Sequence, residues 1–470
     1  MKKVITILLL LFVFLTEAAY AASVKIGVID TGVKEKESVL DGQKILSGKN
    51  YVLGSSDTDD EVGHGTRVAS LILGTVDGEI ASPCSESLIV PLVYYTKLAS
   101  GAALNGGLES ICNAIYDAVE IYDCQIINIS SGITADDERL KKAIDYAEEH
   151  GVLVVSACGN SGDEVYFPAA YDTVLGVGSH NSKFEPADFS CWGSGLDMLM
   201  YGEDLKVVSI KNAANYELVS GTSYSTALVT AHAAAALEQY PHLMPSQIRY
   251  LMRASCDDIC DAGYDEKSGY GVFKSDWFYE NLELFDRGEI ICFYDVKEDD
   301  WFYDSVKKAY HQGWMNGTGD GIFDPDGNMT RAMFVTILYR AEGQPQLNSA
   351  LKFDDVDRNA YYAEAVGWAS ENGIIAGVSD AEFVPERNIT REETAAVINR
   401  YAAYKGINTD SRGDLSVFTD ANDVSGWARE NVSWAVGAGL ISGKENNLLD
   451  PQDNTTRAEA TAILNRFLEK

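Results

Sequence analysis

Three short strings, Asp30-Thr31-Gly32, His64-Gly65-Thr66 and Gly221-Thr222-Ser223, follow one another in this 470-residue chain. A serine hydroxyl becomes a nucleophile only when a base within hydrogen-bond reach takes its proton, and histidine is a common base for that task. A carboxylate on the other ring nitrogen fixes the tautomer and stabilises the imidazolium form. Asp30, His64 and Ser223 are therefore candidates for the orienting carboxylate, the base and the nucleophile of an acyl transfer. Asn160, in Ser156-Ala157-Cys158-Gly159-Asn160-Ser161-Gly162, adds an amide of the kind that holds the oxyanion of a tetrahedral intermediate. Taken singly, an Asp-Thr-Gly is usually a turn, a His-Gly-Thr a loop and a Gly-Thr-Ser a helix cap. Order and flanking elements give the set its meaning.

Those elements are legible. An apolar run at 24–29 reads as a strand delivering Asp30, and a second at 152–155 precedes Asn160. His64 begins a segment that reads as a helix start. Ser223 opens a long helix through 227–237, whose N-terminal dipole favours developing negative charge. With the chain order Asp, His, Asn, Ser, residues 24–280 resemble the subtilisin family. The resemblance continues through 126–132, 167–178 and 196–202.

It implies a peptidase domain over residues 22–284, an α/β fold with a mostly parallel sheet flanked by helices. Peptide bonds would be cleaved through an acyl-enzyme by Asp30, His64 and Ser223, with Asn160 at the oxyanion. The resemblance also implies that Ser131 and Gly132 pair with substrate. Tyr166 stands roughly where many relatives carry a glycine at the bottom of the first specificity pocket. Pointing inward, it would restrict cleavage to small side chains; Asp163 and Glu164 at the rim would favour a basic one.

Some features depart from the family. Tyr224-Ser225-Thr226-Ala227 follows Ser223 where relatives usually carry methionine, alanine, threonine and proline. The Asp30 strand comes directly after the leader-like start, and the expectation is that no room remains for a propeptide. The segment 74–83 is shorter than the loop that binds calcium in many subtilisins. Asp57, Asp59, Asp60 and Glu61 form an acidic run without EF-hand spacing, read as a solvated loop. No metal and no cofactor are expected.

Lys2-Lys3, an apolar stretch at 4–15 and Ala19-Tyr20-Ala21 read as a signal peptide over residues 1–21, with no membrane span after its removal. The net charge of −34 makes nucleic acid a poor partner. Of eight cysteines, Cys256 and Cys260 are the expected local bridge, and Cys158 a packing residue.

From about residue 285 the chain repeats itself. Phe293-Tyr294-Asp295, Phe353-Asp354-Asp355 and Phe418-Thr419-Asp420 open three units, and Thr330-Arg331, Thr390-Arg391 and Thr456-Arg457 close them. Gly317, Gly377 and Gly443 each precede the arginine by 14 positions. Helical spacing such as Val366, Trp368 and Ala369, and a second helix over 390–401 with Thr390 as N-cap, recur between the markers. The units resemble S-layer homology modules, placed at 285–345, 346–406 and 411–470. That resemblance implies an α-helical three-module anchor binding an anionic secondary cell-wall polysaccharide. Arg331, Arg391 and Arg457 are the candidate glycan contacts, a planar guanidinium suiting anions; they could also be arginines that support a helix. The reading is a secreted, cell-wall-attached serine endopeptidase acting on protein or peptide substrates. Its alternatives are an adhesin with an inactive protease domain and a dedicated processing protease.

Overall fold

The computed structural model describes residues 23–34, 39–84, 86–98, 100–210, 216–319, 321–347 and 351–469. The signal-peptide reading lies outside the described residues. The chain divides into two compact units, Met1–Leu282 and Glu283–Lys470.

The first unit carries strands β1 (Lys25–Asp30), β2 (Lys49–Asn50), β3 (Leu88–Val93), β4 (Tyr95–Lys97), β5 (Ala103–Asn105), β6 (Ile126–Ile129), β7 (Leu153–Ala157), β8 (Val174–His180), β9 (Met198–Tyr201), β10 (Leu205–Val208), β11 (Tyr216–Val219), β12 (Cys256–Asp257) and β13 (Val272–Phe273). Its helices are α1 (His64–Leu73), α2 (Gly107–Glu120), α3 (Glu138–Glu149), α4 (Thr222–Gln239) and α5 (Pro245–Arg253), and α6 (Ser275–Asp286) begins in it. One nine-stranded sheet runs in the order β12-β13-β9-β8-β7-β6-β1-β3-β2, parallel throughout except for the β12–β13 pair. The parallel arrangement explains the continuous apolar runs. Every residue of β7 and β8 is buried, because α1 and α4 cover one face of the sheet and α2 and α3 the other. Helix α4 is rich in alanine and buries 14 of its 18 residues, so it crosses β6 to β9 as a core element.

Parallel strands deliver their C-terminal ends to one edge, where open α/β sheets form their crevices. Asp30 ends β1, Ser130 follows β6, and Asn160 lies three residues beyond β7. The first unit is thus the mostly parallel α/β fold that the sequence implied.

The expected Cys256–Cys260 bridge is corrected: all eight thiols are free. Cys256, paired with Phe273 across β12–β13, turns inward and donates to the Met252 carbonyl oxygen at 3.4 Å. Burial raises its pKa, while Cys260 is exposed. Cys158 is fully buried in a small apolar cluster with Cys191 and Leu199.

The second unit is helical: α7 (Tyr303–His311), α8 (Arg331–Ala341), α9 (Ala363–Glu371), α10 (Arg391–Tyr404), α11 (Arg429–Gly437) and α12 (Arg457–Leu468). Helices pair between repeats rather than within them, α8 with α9, α10 with α11 and α12 with α7, so the three repeats close into a ring. Thr330, Thr390 and Thr456 cap α8, α10 and α12, and Glu393 and Glu459 complete capping boxes in the last two. Among the described residues no helix is long and apolar enough to cross a membrane.

Candidate active site and the repeat junctions

Helix α1 is pinned against the end of β1. Gly32 has φ +106°, and a Cβ there would stand 2.3 Å from the Thr58 carbonyl oxygen; at Gly65 a Cβ would stand 2.2 Å from that of Gly32. Both glycines of the first two strings are therefore required by close backbone approach. The result is a two-point contact, with His64 Nδ1 at 2.8 Å from Asp30 Oδ1 and 3.0 Å from Oδ2. Asp30 also accepts the Thr31 N–H at 2.7 Å and is 2 % exposed. Burial disfavours the imidazolium form of His64, but the charge of Asp30 and its hydrogen bond outweigh it, and the pKa is raised above the ordinary 6.5.

Thr222 ties the exit of β7 to the start of α4. Its N–H and hydroxyl donate to Asn160 Oδ1 at 2.9 and 3.0 Å, and its hydroxyl accepts the Gly159 N–H at 3.3 Å. With Oδ1 so engaged, the Asn160 Nδ2 group is the donor left for the cleft. Ser223 stands in the first turn of α4, where the Tyr224 and Ser225 N–H groups donate to the Gly221 carbonyl oxygen and that of Thr222 to Asn160. Its hydroxyl donates to the Ser130 carbonyl oxygen at 3.1 Å and makes no bond to His64. Ser130, Ser131, Gly132, Asn160, Tyr166 and Ser223 border one cavity of about 320 Å³.

Tyr166 fills the gap between the two strand exits. A Cβ on Gly132 would be 2.8 Å from Tyr166 Cβ, and one on Gly159 would be 3.0 Å from the ring. Asp163 and Glu164 are exposed and do not border the cavity.

Sequence reasoning missed the roles of three residues here. Tyr224 is 6 % exposed and lays its ring on His64, with centroids 5.6 Å apart. Arg67, on α1, faces Tyr224 and pairs with Glu217 of β11 at 2.7 Å. Asp60 contradicts the reading of the acidic run as a solvated loop: it is fully buried, whereas Asp57, Asp59 and Glu61 are exposed. The pattern signal for Asp60 was its place four residues before His64, at a helix N-terminus.

In the second unit the three arginines are buried, 5 %, 6 % and 7 % exposed. Each reaches the next repeat. Arg331 Nε and Nη2 donate to the carbonyls of Phe383 and Ala376, Arg391 to Leu449 and Ser442, and Arg457 to Phe323 and Asn316. Asp295, Asp355 and Asp420 brace the same loops by accepting two backbone N–H groups each. The opening and closing signatures of the repeat are thus the two halves of one junction. Arg391 also pairs with Glu459 at 2.5 Å and borders a cavity of about 540 Å³ with Trp301, Lys444 and Arg466.

Comparison with known proteins agrees with this architecture. Residues 21–271 match the subtilase family, and residues 293–333, 352–395 and 417–461 match the S-layer homology domain. The chain is 31 % identical to subtilisin DY of Bacillus licheniformis over 251 residues, covering 52 % of this chain and 87 % of that protein. It is 32 % identical to the minor extracellular protease Epr of Bacillus subtilis over 255 residues, covering 54 % of this chain and 38 % of that protein. The crystal structure of fervidolysin from Fervidobacterium pennivorans, a keratinolytic enzyme related to subtilisin, superposes with a TM-score of 0.50 at 26 % identity, covering 56 % of this chain and 43 % of that one. The chain belongs to the subtilase family of serine proteases and carries three S-layer homology domains.

Proposed function

We propose that the protein is a cell-surface serine endopeptidase working through an acyl-enzyme on Ser223. The observation that carries the reading is the bidentate Asp30–His64 contact placed at the same sheet edge as Ser223 and Asn160. Substrate entering the cleft would have Ser223 exchange its bond to the Ser130 carbonyl for one to His64 Nε2. As Oγ bonds to the scissile carbon, its proton passes to Nε2, and the imidazolium is stabilised by Asp30. Asn160 Nδ2 and the Ser223 N–H would face the oxyanion; in subtilisin such an asparagine is the measured example, worth ~3 kcal/mol. Collapse breaks the C–N bond and sends the proton from His64 to the leaving amine, after which water releases the acyl group by the reverse steps.

Ser131 and Gly132 would pair with the substrate main chain beside the cavity. Tyr166, lodged between Gly132 and Gly159, supports a preference for small side chains on the acyl side of the scissile bond. The exposed positions of Asp163 and Glu164, away from the cavity, give no support to a basic preference.

The S-layer homology domains support attachment to the cell wall, and an anionic wall polysaccharide is the proposed ligand. Arg331, Arg391 and Arg457 would shape the binding grooves from beneath, since their Nε and Nη2 groups are spent on backbone carbonyls. Exposed Trp301, Tyr361 and Trp427, each just ahead of the first helix of its repeat, offer faces for sugar rings. Incubation of the full chain with a peptide library tests the activity. Cleavage by the wild type and none by Ser223→Ala supports the reading, and an intact library with a well-folded wild type contradicts it. Co-sedimentation with wall fragments, weakened in Lys444→Ala and Trp301→Ala, tests the anchor; unchanged sedimentation would remove that groove from it.

A further inference from the structure

Asp60 touches neither Asp30 nor His64, yet it joins the elements that carry them. Its Oδ1 accepts the N–H groups of Val62 and Gly63 at 2.9 and 2.7 Å and the Thr31 hydroxyl at 2.9 Å. Its Oδ2 accepts the N–H and the hydroxyl of Thr66 at 2.9 and 2.7 Å. Thr31 extends the network: its hydroxyl accepts the Gly65 N–H at 2.8 Å, and its own N–H donates to Asp30. One buried carboxylate therefore gathers the first turn of α1 on one side and the residue next to Asp30 on the other.

All five donors are neutral, so the contact is a directional lattice rather than an ion pair. It also replaces a missing cap. The residue at the N-cap of α1 is Gly63, which has no side chain to offer, and its φ is +94°. The first-turn N–H groups of Gly65 and Thr66 are satisfied by Thr31 and Asp60 instead, and a negative group at that end suits the helix dipole.

We propose that Asp60 is a positioning residue for hydrolysis, fixing the register of β1 against α1 so that the Asp30 carboxylate meets His64 Nδ1 at both oxygens. The inference rests on the reading of Asp30 and His64 as the acid–base pair. Asparagine at position 60 preserves size but puts an NH2 group where at least two donors now point, so α1 is released from β1 whichever way the amide turns. Displacement of a reacting group by about 1 Å can cost ~100-fold in rate.

The test is steady-state hydrolysis of one peptide by the full chain. Asp60→Asn should lower kcat by about 100-fold and leave KM within about twofold, because the cleft residues after β6 and β7 are untouched. His64 is faced by Asp30 from β1, Asp60 from the loop, Arg67 from its own helix and Tyr224 from α4. Asp60→Asn removes one of the two negative charges, so the acid limb of kcat/KM should also move to lower pH. Thr31→Val, which keeps the Asp60 carboxylate but cuts its link to β1, should lower kcat without moving the limb as far. If Asp60→Asn does not fold, Thr31→Val carries the test alone. A folded Asp60→Asn with wild-type kcat, a fall shared equally with a rise in KM, or a wild-type kcat in Thr31→Val would overturn the proposal. An inactive wild type would instead overturn the proposed function on which it rests.

Discussion

Replacing Tyr166 by glycine should convert a cleft that takes small side chains into one that takes aromatic ones. The ring stands against the position where Gly159 lacks a Cβ and the Tyr166 Cβ against that of Gly132, and the cavity Tyr166 borders measures about 320 Å³ with the ring in place. An aromatic substrate side chain buries on the order of 150 Å² when fully enclosed. At about 25 cal/mol per Å² that is worth about 4 kcal/mol. Immobilising the side chain costs about 1 kcal/mol of that. The remaining 3 kcal/mol corresponds to a shift of roughly 100-fold in selectivity. The assay is kcat/KM for two peptides that differ only by Ala or Phe on the acyl side of the scissile bond, measured on wild type and Tyr166→Gly. Taking the Phe/Ala ratio within each enzyme cancels any general loss from loosening the Gly159–Asn160 segment. The wild type should prefer Ala, and the ratio should rise by about 100-fold in the variant. A wild type that prefers Phe, or a ratio that Tyr166→Gly leaves unchanged, would show that the ring does not limit the pocket.

Four further outcomes follow from the geometry. The acid limb of wild-type kcat/KM should lie above pH 6.5: the base must be neutral, the raised pKa of His64 keeps it protonated further up the pH scale, and activity therefore appears as pH rises through that value. In Asp30→Asn the limb should fall to lower pH, as a pH–rate profile will show. Asn160→Ala should lower kcat by ~100-fold or more with little change in KM, read by steady-state kinetics. Arg457→Ala should destabilise the helical unit by about 4 kcal/mol. It removes two hydrogen bonds from a charged donor, each worth about 1.5–3 kcal/mol, and a guanidinium 4.8 Å over the Phe323 ring. Calorimetry of the full chain should show a transition lowered by roughly 10 °C, little restored in Arg457→Lys, because an ammonium cannot reach both carbonyls.

The strings that opened the sequence reading were legible because close backbone approach forces their glycines. The order Asp, His, Asn, Ser was legible because each residue ends a strand or begins a helix with a strong apolar signature. Position 60 was harder, since its place ahead of a helix start was the one signal and its acidic neighbours pointed to solvent: the donors that hold it come from Thr31, Val62, Gly63 and Thr66, and only folding collects them. The repeat revealed its period but not its partnering. Arginines recurring at one position suit anion recognition by their chemistry, and they suit a closed ring of three junctions equally well. The structure shows their Nε and Nη2 groups turned to neighbouring carbonyls. The Cys256–Cys260 spacing permitted a bridge, but both thiols are free and that of Cys256 turns to the Met252 carbonyl oxygen. Tyr224 was visible as a departure from the family, but its packing on His64 depends on how α4 crosses α1.

The central claim is that Ser223 is a nucleophile activated by His64. A serine-directed fluorophosphonate, followed by intact mass, tests it directly, because the probe bonds only to a hydroxyl that a base has made reactive. The account predicts one adduct per wild-type chain, none on Ser223→Ala, and labelling slowed by several orders of magnitude in His64→Ala. Folded wild-type protein that stays unlabelled, or an adduct that persists in Ser223→Ala, would contradict it.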